Sequence, residues 1–250
     1  MISKITVFLM ALILSTLLFT ACDDDDKNPL SATNPSDMPY DIAIDPADFV
    51  DSNFTGNTYF PWTVNSTYIY EGEDEEGAVI RVEEKLIEQT KTIMGVTCVI
   101  FHVKEFEDGD LVEETFDWYA QDFDGNVWYF GEDSKEIENG EVVSSAGSWE
   151  AGIDGALPGI IMMADPIEGF WYRQEYYEGE AEDVGQVLSL SESVTVPYGS
   201  YTNCLQTAEW TPLEKGIVEH KFYAAGVGLL RAIAVEGESG YEDLVDITTD

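Results

Sequence analysis

Outside the N-terminal leader, the side chains best suited to nucleophilic or metal chemistry are Cys98, Cys204, His102 and His220. Cys98, Ile100 and His102 alternate, so on a strand they share one face. That arrangement could pair a thiol with an imidazole for metal binding or catalysis. A structural zinc needs four ligands, and the sequence holds no close-spaced Cys or His cluster. Each histidine therefore reads as a partly buried strand residue. No Gly-x-Ser-x-Gly elbow is present, so a serine hydrolase has no support. Asp122-Phe123-Asp124-Gly125-Asn126 places oxygen atoms at alternate positions, as a calcium loop does. The rest of an EF-hand loop is missing, because Glu132 and Asp133 arrive early and the flanks read as strands. Asp-Gly at a hairpin tip explains the same letters without metal. The turn is the favoured reading, with Asp122, Asp124 and Asn126 kept as a weak calcium candidate. No catalytic residue and no cofactor is expected.

Carboxylates are the commonest chemical group, with Asp plus Glu at 50 against Lys plus Arg at 11 and a formal net charge of -39. Such a surface repels phosphate backbones and anionic lipid heads, which excludes nucleic acid as a partner. With 44% apolar and 12% aromatic residues the chain can fill a core, so disorder throughout is excluded too. Among so many acids, pairs at glycosidase-like separations arise by accident. A pair counts only where one member sits in an apolar cleft with a raised pKa. Aromatics cluster at Trp118-Tyr119, Trp128-Tyr129-Phe130, Phe170-Trp171-Tyr172 and Tyr176-Tyr177. Rings beside carboxylates suit sugars, but alternating strands bury about half of such residues, and most of these read as core.

The elements that must position these groups are strands. Alternation dominates after residue 60. Turn signals stand at Glu107-Asp108-Gly109-Asp110, Asp122 to Asn126, Glu138-Asn139-Gly140 and Glu214-Lys215-Gly216. The order also repeats. Tyr68-Ile69-Tyr70-Glu71-Gly72-Glu73 matches Glu175-Tyr176-Tyr177-Glu178-Gly179-Glu180, Cys98 follows Gly95 as Cys204 follows Gly199, and Trp118-Tyr119-Ala120 matches Phe222-Tyr223-Ala224. Residues 79–91 contain good helix formers, yet their counterpart, 185–196, is rich in Ser, Thr and Val. Both are therefore expected to be strands. The expectation is an all-β domain, 58–250, built from two repeated β-meanders, 60–130 and 165–232, with an insertion at 131–164. One antiparallel curved sheet or half-barrel would let each copy cover the other's edge, and a β-sandwich is the alternative. The insertion, lacking a counterpart, reads as either a functional loop or a lid.

The N-terminus supplies the cellular context. Met1 to Lys4 form a short n-region, and Ile5 to Ala21 carry no charge. The run is short for a spanning helix, which needs about 20 apolar residues, and fits a secretory signal, 1–21. Phe19-Thr20-Ala21-Cys22 resembles a bacterial lipobox, whose cysteine is lipidated and becomes the mature N-terminus; Phe19 departs from the usual Leu. Asp23 to Asp26 and Lys27 open an acidic, Pro-rich tether, 22–57, expected to be an extended spacer. The acidic cluster resembles a surface-export tag of some Gram-negative groups, whereas an Asp right after the lipidated Cys in enteric bacteria instead favours inner-membrane retention; the first reading is preferred. The resemblance implies an outer-membrane lipoprotein facing either the periplasm or the exterior. Export permits a disulfide between Cys98 and Cys204, worth roughly 4 to 5 kcal/mol by chain entropy. Separate buried thiols are the alternative, since bridging needs Cα atoms within about 7 Å.

Glu219-His220-Lys221-Phe222-Tyr223-Ala224-Ala225-Gly226-Val227-Gly228-Leu229-Leu230 resembles a stretch of uncharacterised bacterial lipoproteins and secreted proteins. The resemblance implies an exported all-β domain and carries over no catalytic residue. The expected function is a lipid-anchored envelope protein acting as a non-enzymatic binding or structural module. The alternatives are a glycan- or amphiphile-binding barrel with an aromatic-lined mouth, and a carbohydrate-active enzyme. Expected partners are the membrane, through the lipid on Cys22, and a glycan or other envelope component.

Crowded carboxylates repel one another, and salt screens that repulsion over about 10 Å at 0.1 M. The melting temperature should therefore rise between 10 and 500 mM NaCl. A flat or falling curve contradicts this.

Overall fold

Residues 79–91 do form a strand despite their helix-forming composition. Within it Ile80 and Leu86 are buried while Arg81, Glu83 and Lys85 lie on the opposite parity. The computed structural model describes residues 30–50 and 56–249. Cys22, the signal segment and the start of the tether lie outside the described residues.

The edge fragment β1 (Leu30–Ser31) precedes a first meander of β2 (Ser66–Glu73), β3 (Val79–Ile93), β4 (Val96–Glu107), β5 (Asp110–Gln121) and β6 (Val127–Glu138). Three strands then pair with β6: β7 (Glu141–Ser144), β8 (Trp149–Glu150) and β9 (Leu157–Met162). The chain continues through β10 (Trp171–Arg173), β11 (Glu175–Tyr176), β12 (Val184–Val196), β13 (Gly199–Trp210), β14 (Val218–Ala224), β15 (Gly228–Glu236) and β16 (Tyr241–Thr249). All belong to one curved antiparallel sheet of 16 strands, so the sandwich alternative is not formed. Tight hairpins at Met94-Gly95, Asp108-Gly109 and Asn139-Gly140 hold both turn residues at positive φ. That is the twist a two-residue antiparallel turn requires.

The strand order β2 to β6 and the order β10, β12 to β15 each form a meander. β16 joins them, pairing with β15 on one side and β2 on the other. The repeat pattern does not anticipate this strand. The boundary expected at residue 130 falls inside β6, which continues to Glu138 against β5. Much of the expected insertion is thus sheet rather than loop.

No continuous ladder closes the sheet, but its two margins meet at one stretch, 171–176. Trp171, Tyr172 and Arg173 pair with β12, whereas Glu175 and Tyr176 pair with β9. The backbones approach so closely here that a Cβ at Gly159 would meet Gln174 C at 2.5 Å.

Residues 30–50, expected as a free spacer, are docked on this seam. Leu30 and Ser31 pair with β10. Tyr40 Oη donates to Pro158 O at 2.8 Å, and Phe49 packs edge-on against Phe130 at 5.6 Å. Arg173 is 1% exposed; its Nη2 donates to Pro35 O at 2.6 Å and Met38 O at 2.9 Å. The Tyr40 and Tyr176 rings lie 5.5 and 5.0 Å from the guanidinium carbon. The segment has too little apolar surface to fold alone, and its carbonyls order against one nitrogen of a buried cation, whose Nε and Nη1 have no hydrogen-bond partner among the described residues.

An Arg173→Met variant keeps the apolar stem and removes those donors. Limited proteolysis should cut the variant between residues 30 and 45 at least about tenfold faster than the parent, as a lost charged hydrogen-bond set implies. Equal cleavage rates would mean that Arg173 does not hold this segment.

Candidate functional site

The parity that buries Leu86 and Phe101 also sends a series of acids to the enclosed face of the curved sheet. Leu86 is opposite Phe101, Phe101 opposite Asp117, and Asp117 opposite Glu132. One step along, Glu84 faces Tyr68 and Val103; two steps along, Val82 faces Tyr70 and Glu105. At the rim Ile80 is opposite Gly72, which is opposite Glu242. From the second meander Thr207 is paired with Lys221, and Glu209 with Glu219. The floor is aromatic. Trp62 lies 4.7 Å from Phe101, and Phe101 lies 5.0 Å from Tyr119 by ring centroids. The enclosed face is therefore apolar at one end and acidic at the other, a funnel that opens at the β2–β3, β4–β5 and β15–β16 turns.

The funnel's mouth is a cavity of about 330 Å³ lined by eight carboxylates, Glu105, Glu107, Glu219 and Glu242 among them, and by no Lys or Arg. Deeper in, Lys221 supplies a cation. Its Nζ lies 2.9 Å from Glu209 Oε2 and 3.3 Å from Glu219 Oε2. Burial alone would lower Lys221, but Glu209 and Glu219 outweigh it and hold its pKa well above the ordinary value. Burial would likewise raise Glu209; the Lys221 ammonium and the Thr207 hydroxyl, 2.8 Å away, keep it ionised below the usual range.

Lys221 also pulls Glu84 and Glu242 down, but there burial outweighs it. Burial, with Asp117 and Glu242 nearby, pushes Glu84 up to about 8. Asp117, 8% exposed, is pushed to about 7 by burial even though the Tyr129 hydroxyl donates to it at 2.8 Å. Burial and the Asp117 charge take Glu132 to about 8. Burial with Glu105 and Glu219 takes Glu242 to about 7. Glu175 and Asp183 are raised too, each by burial first. One hydroxyl in this group is unpartnered. Tyr70, 2% exposed, has no hydrogen bond to its Oη, and burial, with the Glu84 charge nearby, holds its pKa well above the ordinary value.

The residues singled out from sequence lie elsewhere. Cys98 and Cys204 are free, buried thiols, the alternative to the possible bridge. Cys98 packs with Phe49 and Trp118, while Cys204 packs with Tyr68 and Leu244 in a separate cluster. Burial pushes the Cys98 thiol up to about 12, which leaves no thiolate for chemistry. His102 Nε2 lies 2.7 Å from Glu114 Oε1 and its ring stacks on Phe116; His220 bonds Gln206. Asp122 Oδ1 accepts from Asn126 N at 2.8 Å, and its Oδ2 from Asn126 Nδ2 and Trp128 Nε1 at 2.9 and 2.8 Å. Those oxygens build the turn. Among the described residues, no group of three or more His, Cys, Asp or Glu is placed to hold a metal ion. Beside this turn is a second cavity of about 320 Å³, lined by Trp128, Asp48, Asp124 and the 71% exposed Phe123. Trp62, Trp118 and Trp149 are core.

The funnel residues Tyr70, Glu84, Glu105, Glu242 and Lys221 were missed by the sequence reading. The available signal was the parity Ile80, Val82, Glu84, Leu86, in which an acid occupies an apolar face.

No family model and no curated protein matches the chain. Among solved structures it is similar to a provisionally described exported protein with a YmcC-like fold from Bacteroides fragilis. The identity is 15% and the TM-score 0.46, over 77% of this chain and 100% of that one. It is also similar to a provisionally described lipoprotein from Parabacteroides distasonis, at 14% identity and a TM-score of 0.42, over 78% of this chain and 100% of that one.

The raised acids set the sign of the pH response. Between their ordinary values near 4 and the folded values of about 7 to 8, the folded chain holds protons that the unfolded chain has released. Their contribution is fully present at the acid end of that window and is lost as pH rises through 7 and 8. At constant ionic strength the melting temperature should fall by about 5 °C or more from pH 5.0 to 8.5. Glu84→Gln should flatten the slope. A melting temperature that rises over this range would contradict the assignment.

Proposed function

We propose that the chain is a lipid-anchored protein of the bacterial cell envelope, attached through Cys22 to the outer membrane, and that its β domain is a non-enzymatic binding module. The observation that carries the binding reading is the acidic mouth, an open cavity of about 330 Å³ with eight carboxylates and no Lys or Arg in its lining. Keeping that many like charges on one rim works against stability and is intelligible where a cationic group comes to rest there. The Lys221 ammonium, seated between Glu209 and Glu219, illustrates the contact such a group would make.

A binding role fits the acids better than catalysis does. Asp117 is capped by the Tyr129 hydroxyl and faces other acids; it does not line the cavity at the mouth. A glycan-binding reading has one feature in its favour, the exposed Phe123 beside Trp128 and Asp124. There the Trp128 indole N–H and both Asp122 oxygens are already bonded within the turn, which leaves few groups to read sugar hydroxyls.

Anchoring is supported by the uncharged run that ends at Phe19-Thr20-Ala21-Cys22. Cells fed tritiated palmitate should label the parent protein and leave Cys22→Ala unlabelled and released from the membrane fraction. Label retained by Cys22→Ala would defeat the anchor.

A further inference from the structure

We propose that a second site, a cleft of about 470 Å³ between residues 34–37 and 211–218, binds a neutral saccharide chain with one pyranose ring stacked on Trp210. This goes beyond the acidic mouth and does not depend on it. The cleft's volume falls within the roughly 300–1,000 Å³ typical of ligand sites.

Thr207 and Glu209 belong to the enclosed face, so parity turns Ala208 and Trp210 to the outer face, where both line the cleft. Trp171 stands edge-on to Trp210, with ring centroids 5.1 Å apart at 90°. Neither indole belongs to any of the three core clusters. Trp210 is a half-buried platform braced by a second ring, and so costs little further ordering when a ligand stacks on it. The C–H face of a pyranose is apolar and packs on such a ring, while its hydroxyls both donate and accept.

The rim supplies both kinds of group. Asn34 Oδ1 accepts from Ser36 N and Ser36 Oγ at 2.9 and 2.6 Å, which leaves the amide nitrogen to donate. Lys215 offers an ammonium, and Asp37 and Glu214 offer carboxylate acceptors. The turn beside Phe123 lacks this, because its oxygens are already bonded. Other ligand classes fit less well. Two carboxylates on the rim repel a phosphate. Lys215 works against a cation, and no Lys or Arg lines the acidic mouth or the cavity beside Phe123. A wholly apolar ligand would cut the rim groups off from water without replacing their hydrogen bonds.

One wall of the cleft is set from beneath. Arg173 and Trp210 are both opposite Val184. Arg173 Nη2 donates to Pro35 O, Ser36 O and Met38 O at 2.6, 3.3 and 2.9 Å, on both sides of Asp37. Arg173 is therefore a positioning residue for the Asn34 to Asp37 wall.

Native electrophoresis suits the test, because a chain of net charge -39 migrates strongly. The full chain is run in gels containing dextran, a soluble β-glucan, galactomannan or arabinoxylan. At least one polymer should retard the parent, and isothermal titration with an oligosaccharide of that polymer then gives the affinity. Trp210→Ala should weaken it by at least about tenfold and Lys215→Ala by about threefold, as a lost stacking platform and a lost polar contact imply. Lys215 is exposed, so its variant keeps the fold whatever the indole deletion does. Arg173→Met should weaken binding by at least about threefold, and Arg173→Lys, whose ammonium can donate to the same three carbonyls, should restore it. The Glu105→Gln, Glu242→Gln double variant of the acidic mouth should bind the oligosaccharide as the parent does. Loss of binding in that double variant, with Trp210→Ala unaffected, would place the saccharide in the funnel and end this assignment while the funnel stands. Retardation in none of the gels, or parental affinity in both Trp210→Ala and Lys215→Ala, would overturn the saccharide cleft and leave the mouth untouched.

Discussion

The enclosed face of this sheet exists because one short stretch, 171–176, belongs to both of its margins. Arg173 is paired into β12 and Glu175 into β9, with only Gln174 between them. Unpaired edges are a liability in any open sheet, and here a change of partner within one extended segment covers both. Enclosure has an electrostatic consequence. Acids that would be ordinary surface groups on a flat sheet are brought across from one another and partly removed from water. Burial is the first cause of the upward shift at Glu84, Asp117, Glu132 and Glu242 alike, and neighbouring acids add to it. The protonation of the funnel therefore follows from enclosure, and no seam residue lines its mouth.

Much of the architecture was legible because strand patterning is local. Alternation, two-residue turns carrying Gly, and the Ser-, Thr- and Val-rich counterpart of residues 79–91 all report on neighbouring residues. They placed β3 as a strand against its helix propensity. What failed was non-local. The composition of residues 30–50 reads as spacer, and only a buried cation from 138 residues away in sequence, on the evidence of the Arg173 to Pro35 bond, shows why it docks. β16 has no counterpart in the repeat, so it could not be inferred from it.

The two cysteines stay apart for a specific reason. Cys98 is opposite Lys91 on one hairpin and Cys204 is opposite Glu192 on the other. The second hairpin shifts register between Val187 and Ser189, again before Glu192, and again before Ser193. A shift of one residue turns a side chain to the other face. Cys98 consequently packs beneath Phe49 and Trp118, whereas Cys204 joins Tyr68, Leu86 and Phe101. Similar positions along two hairpins do not become neighbours in space when bulges set their faces apart.

The same parity logic explains why the funnel was hard to see. Glu84 falls between Val82 and Leu86 on one face, which by itself suggests only an acid at a sheet rim. Its meaning depends on Lys221 and Glu242, brought to that face from distant strands by the curl. A sheet selected for stability alone would fill those positions with aliphatic side chains, since each unpaired acid in an enclosed space either loses hydration or takes up a proton. The aromatic floor around Trp62 and Phe101 shows that this sheet packs such side chains readily at its other end. The division between a dry aromatic floor and an acidic mouth within one continuous sheet is therefore a matter of side-chain choice at fixed backbone geometry. The Lys221 ammonium is enough to hold Glu209 ionised, whereas Glu242, nearer the rim, stays raised by burial and by its acidic neighbours.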